Sequence, residues 1–250
     1  VLAVPSSHCK EIAQEIAPVA KEQIIVNVAK GLDQEKFQRL SEVIHEALPD
    51  AAIVSLSGPN HAEEVSKNTP TAAVIAGENP KAIEKAITVI ANQQFKLYPH
   101  KDLIGVELCG ALKNIIAIAI GICDAQEYGD NVKGAIITLG ISEMAQVVKA
   151  LGGRKATCYG LAGVGDVIAT CMSSHSRNRF VGEQIGKGKT THEIEKIMKG
   201  RIAEGVSTTK AAMLLAKKHK LKLPLIATIY DILYNHKDVR KAIEDLIAVL

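Results

Sequence analysis

One ammonium group stands inside an otherwise uncharged stretch. The segment Glu107 to Gly121 reads ELCGALKNIIAIAIG, with Lys113 at its middle and Asn114 beside it. Its apolar residues (Leu108, Cys109, Leu112, Ile115, Ile116, Ile118, Ile120) fall on every face of a helix, so as a helix it must be enclosed by protein. The small residues Gly105, Gly110, Ala111, Ala117, Ala119 and Gly121 would let other backbones come close. A lysine held in an apolar wall loses hydration, and its pKa falls toward the working pH. That makes a proton acceptor for an alcohol. Taken alone, the stretch is better explained by a lysine that snorkels to the surface from a core helix. It is too short for a membrane span, since its longest charge-free run is Asn114 to Cys123.

Other segments carry compatible chemistry. The glycine-rich GLAGVGD (160–166) ends in Asp166 at a helix start, and Asp166 and Thr170, four apart, share one helix face. N-capping alone would account for Asp166. In Ser176-Arg177-Asn178-Arg179 a serine N-cap brings free N–H groups and a guanidinium around one point, which suits a phosphate. Cations at a helix N-terminus oppose the macrodipole, so their placement there needs another reason. RIAEGVSTTK (201–210) sets Glu204 just before a helix capped around Ser207, either as ordinary capping or as a ribose or amide contact.

The elements that must position these groups divide near residue 100. Up to there strands and helices alternate: VLAV (1–4) as a strand closed by Pro5-Ser6-Ser7, a helix over 8–20 interrupted by Pro18, and a strand at 23–31. Asp33 is expected to cap an amphipathic helix bearing Phe37, Leu40, Val43, Ile44 and Leu48. Strands at 51–60, 71–77 and 95–100 follow, with helices at 61–66 and 80–92 between them. The alternation predicts a parallel or mostly parallel α/β sheet covered on both faces. Beyond Lys101 only helices are expected, at 102–122, 131–151, 163–173, 177–187, 191–199, 204–219, 224–235 and 238–248. Thr190-x-x-Glu193 is a capping box for the fifth. Ligands collect at the carboxyl ends of strands in such sheets, where Pro5-Ser6, Lys30 and Gly58-Pro59-Asn60 lie. Singly, these are a helix start, a solvated loop lysine and a turn.

Composition narrows the classes. A chain of 250 residues suffices for one large or two moderate domains. An aromatic share of 3% without Trp argues against base-stacking platforms, and a net charge of +3 gives no nucleic-acid or membrane footprint. Five scattered cysteines (Cys9, Cys109, Cys123, Cys158, Cys171) without C-x-x-C spacing read as reduced, buried cytoplasmic thiols, with neither a metal site nor a disulfide frame.

Taken together, SGPNHAEEV (57–65), ELCGALKNIIAIAIGICDA (107–125), YGDNVKGAIITLGISEM (128–144), GLAGVGDVIATC (160–171) and SRNR (176–179) resemble the NAD(P)-dependent glycerol-3-phosphate dehydrogenases of the prokaryotic type. The likeness runs over the whole chain. It implies a Rossmann-type dinucleotide-binding domain over 1–100, followed by an all-helical substrate domain over 101–250. It implies an oxidoreductase that interconverts sn-glycerol 3-phosphate and dihydroxyacetone phosphate with NAD or NADP and feeds glycerophospholipid synthesis. By position it implies Lys113 as the proton acceptor, and Lys30 as a second lysine touching substrate and nicotinamide. Gly58 and Asn60 would line the substrate, with Ala62 near the cofactor; Asn60 stands where the family carries a small hydroxyl residue. Asp166 and Thr170 would hold the glycerol end and orient Lys113, and Ser176, Arg177 and Asn178 would take the phosphate. Arg177, Ile202 and Glu204 would face the dinucleotide.

One family element has no counterpart: no G-x-G-x-x-G occupies residues 1–20. The expectation is a chain lacking its first βαβ unit, with an unprotected sheet edge and weak cofactor affinity. Another β-hydroxyacid or sugar-phosphate dehydrogenase of the same plan, an inactive fragment, or a helical binding module are the competing readings. The choice between NAD and NADP and the oligomeric state, a homodimer included, are left open by the sequence.

Overall fold

The structure, a computed structural model, describes residues 1–20 and 22–249. In the first hundred residues, β-branched runs make the strands β1 (Ile24–Asn27), β2 (Ala52–Ser57) and β3 (Thr71–Gly77), and an aromatic-bearing run makes β4 (Phe95–His100). Between them lie α1 (Cys9–Ile16), α2 (Leu40–Ala47), α3 (Ala62–Val65) and α4 (Pro80–Ile90). The strand order is β1-β2-β3-β4. The sheet is mixed, against the expectation of a mostly parallel one: β1 and β2 are parallel, β2 and β3 antiparallel, β3 and β4 parallel. The physical reason lies between Ser57 and Thr71. The only helix there, α3, has 4 residues and cannot cross the sheet face, so the chain turns back beside β2.

Two further expectations change. VLAV is no strand; Leu2 alone bridges to Asn27, donating to Val26 O at 2.8 Å and accepting from Val28 N at 3.1 Å. Asp33 does not cap α2. Its carboxylate accepts from Glu35 N and Lys36 N at 3.1 and 2.6 Å in a turn. Phe37 then takes φ 59°, which a helix cannot carry, so α2 starts only after Arg39.

The helical part comprises α5 (Leu103–Ala125), α6 (Asp130–Ala150), α7 (Asp166–Met172), α8 (Arg177–Gly186), α9 (Thr191–Met198), α10 (Glu204–His219), α11 (Pro224–Tyr234) and α12 (Val239–Ala248). Each lies within a few residues of its expected span. The Thr190–Glu193 capping box is formed. The cap at Ser207 is not: α10 begins at Glu204, and Ser207 donates to Glu204 O from inside the first turn.

Helix α5 is the axis of the molecule. Gly105 through Cys123 are all buried, as the all-round apolar pattern required. It is long and apolar enough to cross a membrane, but 94% of its most apolar window is covered by the rest of the chain. Its small residues admit α8 at backbone contact. A Cβ on Gly121 would fall 1.9 Å from Arg179 O, and one on Gly182 would fall 2.0 Å from Ile118 O. At the other end Glu107 ties α5 to the sheet part. It accepts from Ser41 N and Ser55 Oγ at 3.0 Å, from Arg39 Nη1 at 3.0 Å, and from Ser41 Oγ at 2.5 Å. Helix and sheet are thereby held in one register.

Candidate active site

Lys113 leaves α5 halfway along and does not reach the surface; the residue is 5% exposed. Its Nζ bonds to Asp166 Oδ1 and, at 2.7 Å, to Thr170 Oγ1. The two partners are successive turns of α7, as their spacing of four predicted, and they bond to each other at 3.3 Å. Asp166 is no N-cap. A single π turn, Leu161–Gly165, runs straight into α7 and aims the carboxylate inward as the first helical residue.

The second oxygen of Asp166 belongs to Lys30. From the loop after β1, Lys30 Nζ donates to Asp166 Oδ2 at 2.7 Å, to Asn60 Oδ1 at 2.7 Å and to Gly58 O at 2.9 Å. Gly58 has φ +139°, and a Cβ there would meet Ala73 Cα at 3.0 Å, so glycine is what lets this carbonyl turn toward the lysine. One carboxylate thus bridges two ammonium groups drawn from the sheet part and the helical part.

The electrostatics follow from that arrangement. Burial, with the Lys30 charge, outweighs the attraction of Asp166 and brings Lys113 down from 10.5 to about 8. Burial pushes Asp166 up, but the two lysines together outweigh it and hold its carboxyl below the ordinary value. A lysine that is part neutral near pH 8 can exchange a proton with a ligand, and a buried carboxylate stays ionised to hold it in place.

These groups lie at the floor of a cleft of about 490 Å³ at the carboxyl ends of β1 and β2. Of the residues singled out in the sequence, Lys30, Asn60, Ala62, Lys113, Thr170, Ser176, Arg177, Asn178, Ile202 and Glu204 line it. Gly58 and Asp166 stand behind the wall and act through Lys30 and Lys113. At the far end Ser176 caps α8, accepting from Arg179 N at 3.2 Å. Arg177 is exposed and rests Nη1 on Ile202 O at 3.2 Å. Asn178 accepts from Gly205 N at 2.8 Å, which locks the start of α10 onto α8. Glu204 accepts from Ser6 N at 2.9 Å and is bonded to Ser6 Oγ, so it clasps the segment after Leu2 while facing the cleft.

Among the polar wall residues His61, Glu63, Asn114 and His175 lacked an assignment. Asn114 donates from Nδ2 to Lys30 O at 3.4 Å and so fixes the loop carrying Lys30; its position next to Lys113 was the available signal. His175 also lines the cleft, with no sequence signal beyond its place before SRNR.

The fit to a dinucleotide is uneven. Ala3, Val4, Pro5, Val28 and Ala29 form an apolar wall of the same cleft, suited to a flat ring held near Lys30 and Lys113. Among the described residues no glycine-rich turn joins a strand of the sheet to a helix, so none supplies a cradle for a diphosphate.

Comparison with known proteins agrees with the geometry. Residues 1–83 match the family model for the NAD-dependent glycerol-3-phosphate dehydrogenase N-terminus, and residues 102–244 match that for its C-terminus. Glycerol-3-phosphate dehydrogenase [NAD(P)+] of Chlorobium phaeobacteroides (strain BS1) is 46% identical over 98% of this chain and 75% of its own. The enzyme of that name from Thermoanaerobacter sp. (strain X514) is 47% identical over 98% of this chain and 74% of its own. The crystal structure of glycerol-3-phosphate dehydrogenase from Coxiella burnetii superposes with TM-score 0.93 at 36% identity, covering 98% of this chain and 75% of that one. That from Plasmodium falciparum does so with TM-score 0.88 at 26% identity, covering 96% and 70%. A Rossmann-like part with a mixed sheet followed by a helical part is the common plan, and the chain belongs to the NAD-dependent glycerol-3-phosphate dehydrogenase family.

Proposed function

We propose that this protein interconverts sn-glycerol 3-phosphate and dihydroxyacetone phosphate, with NAD or NADP as the hydride carrier. The observation that carries the reading is Asp166 bridging Lys113 and Lys30 at the floor of a cleft whose far end is the N-terminus of α8. The substrate phosphate docks against Ser176, Arg177 and Asn178, where unpaired N–H groups and a guanidinium favour an anion. Binding one end this way turns C2 toward Lys113, so that the non-reacting phosphate supplies orientation. Neutral Lys113 takes the C2 hydroxyl proton, while Thr170 and Asp166 keep its Nζ aimed. The Lys30 ammonium stabilises the developing alkoxide. Bound nicotinamide supplies the hydride acceptor. In reduction, protonated Lys113 returns the proton to the carbonyl oxygen. Proton transfer of this kind contributes about 10²–10⁴-fold in rate, or roughly 3–5 kcal/mol of barrier.

The domain boundary is placed between residues 100 and 101; Lys30 and Ala62 from the first part and Arg177, Ile202 and Glu204 from the second would face the dinucleotide. A cytoplasmic setting, with the reduced product supplied to glycerophospholipid synthesis, is part of the reading and is supported by the family likeness and the buried free thiols. The reading is tested by calorimetric binding of dihydroxyacetone phosphate, and by turnover of sn-glycerol 3-phosphate against 6-phosphogluconate and 3-hydroxy acids. Selective binding and turnover of the three-carbon phosphate are expected. Preference for either alternative would replace the substrate.

A further inference from the structure

Two thiols outside the cleft lie in direct contact. Cys109 and Cys158 are both fully buried, and Cys109 Sγ donates to Cys158 Sγ at 3.6 Å. Their places in the chain give the contact consequences. Cys109 lies one helical turn before Lys113 on α5, and Cys158 lies in the turn Lys155–Tyr159 just ahead of the π turn that aims Asp166. The two turns are stiffly coupled. A Cβ on Gly163 would fall 1.9 Å from Cys158 O, and Gly163 N and Gly165 N both donate to Gly160 O at 3.2 Å. On the other side of Cys158, Asp102 accepts from Thr157 Oγ1 at 2.5 Å, from Arg154 N at 2.8 Å and from Gly105 N at 2.9 Å, so its turn and the start of α5 already share one anchor.

We infer that Cys109 and Cys158 are an oxidisable pair that forms an intramolecular disulfide with a small hydroperoxide as oxidant, tying the helix of Lys113 to the segment that aims Asp166. Cys158 is the sulfur oxidised first. The bond it receives from Cys109 pulls its thiol down while the same contact and burial push Cys109 up, so charge is more easily held on Cys158. Its lone pair attacks one peroxide oxygen, the O–O bond breaks, and a sulfenic acid and one water result. Cys109 sulfur then displaces the sulfenic oxygen as a second water, so two thiols are oxidised and one peroxide is reduced. Closing from 3.6 Å to an S–S bond of about 2.05 Å requires the two segments to approach. Full burial selects the oxidant by size: direct attack by a bulky disulfide reagent is excluded, which leaves a small peroxide.

The test is peptide mapping of the whole chain after hydrogen peroxide, digested without reduction. The expected product is a 109–158 crosslink two hydrogens lighter than the separate peptides. It should be lost with dithiothreitol, absent in Cys109→Ser and Cys158→Ser, and not produced by oxidised glutathione. Cys109 and Cys158 both remaining alkylatable, or passing to sulfinic acid without a crosslink, would overturn the inference, and that result needs no variant. The effect on Lys113 rests on the proposed function and is read separately, as a loss of glycerol 3-phosphate turnover that tracks crosslink yield and is recovered with dithiothreitol. Full turnover in crosslinked protein would overturn the coupling to the site. No turnover in the reduced protein would instead refute the proposed function, leaving the crosslink to decide the pair.

Discussion

Replacing Asp166 by Asn removes the negative charge that Lys113 and Lys30 share, while keeping its shape. The cost can be bounded. Holding Lys113 protonated at a pKa of about 8 against an ordinary 10.5 already costs the folded protein about 3 kcal/mol below pH 8. Without the carboxylate its pKa falls further, but Lys113 escapes by losing its proton. At pH 7 its extra cost is therefore capped near the distance from 8 to 7, about 1 kcal/mol. Lys30, with its side chain 19% exposed, loses a charged partner at 2.7 Å and contributes the rest, about 1.5–3 kcal/mol. The variant should thus be about 2–4 kcal/mol less stable at pH 7. The sign of the pH dependence follows from the depressed lysine. Between about 8 and 10.5 the unfolded chain binds more protons, so wild-type stability rises with pH across that window. In Asp166→Asn the rise begins at lower pH, and by pH 9 the gap should narrow by about 1 kcal/mol without closing, since Lys30 still lacks its counter-charge. Urea unfolding at pH 7 and pH 9 reads both numbers. Equal stability at pH 7, or a gap that widens at pH 9, would refute the reasoning.

Three further outcomes are expected. Arg177→Ala should raise KM for glycerol 3-phosphate by roughly 10–100-fold, the worth of a charge-assisted hydrogen bond, with kcat less affected; an equal loss toward unphosphorylated glycerol would contradict a phosphate grip. Gly182→Ala should cost at least about 3 kcal/mol in denaturant unfolding, because its Cβ would fall 2.0 Å from Ile118 O and backbone cannot yield as a side chain can. Glu143→Ala should lower stability by about 2–3 kcal/mol, since Glu143 accepts from Leu225 N and Ile226 N at 2.6 and 3.0 Å at the buried start of α11; a change under about 0.5 kcal/mol would mean that water replaces it.

Local chemistry was readable along the chain, and long-range pairing much less so. Strands β3 and β4 have the bounds expected for them, and the helices after residue 101 follow their apolar periods and caps. A strand's composition does not say which way its neighbour runs, so the antiparallel β2–β3 pair had to be seen. Asp33 illustrates the same limit: its carboxylate caps a turn as its type predicts, but the left-handed Phe37 that separates the turn from α2 leaves no mark in the sequence. At the site, the burial of Lys113 was implied by the apolar residues around it. Its partner Asp166, 53 residues away, came from the family likeness, and the spacing to Thr170 only made the pair possible. Glu107, joined to Ser55 and Ser41 at separations of 52 and 66, had no local signature, and its anchoring of α5 to the sheet part was missed.

The central claim is that Lys113, poised near neutrality, exchanges a proton with the substrate hydroxyl. It is tested most directly by the pH dependence of kcat/KM for glycerol 3-phosphate oxidation in the wild type and in Lys113→Ala. The wild-type profile should rise through a pKa of about 8 and level off above it, as neutral lysine accumulates. The variant should lose that limb together with about 10²–10⁴-fold in rate. A variant that keeps the limb, or turns over at the wild-type rate, would contradict the account.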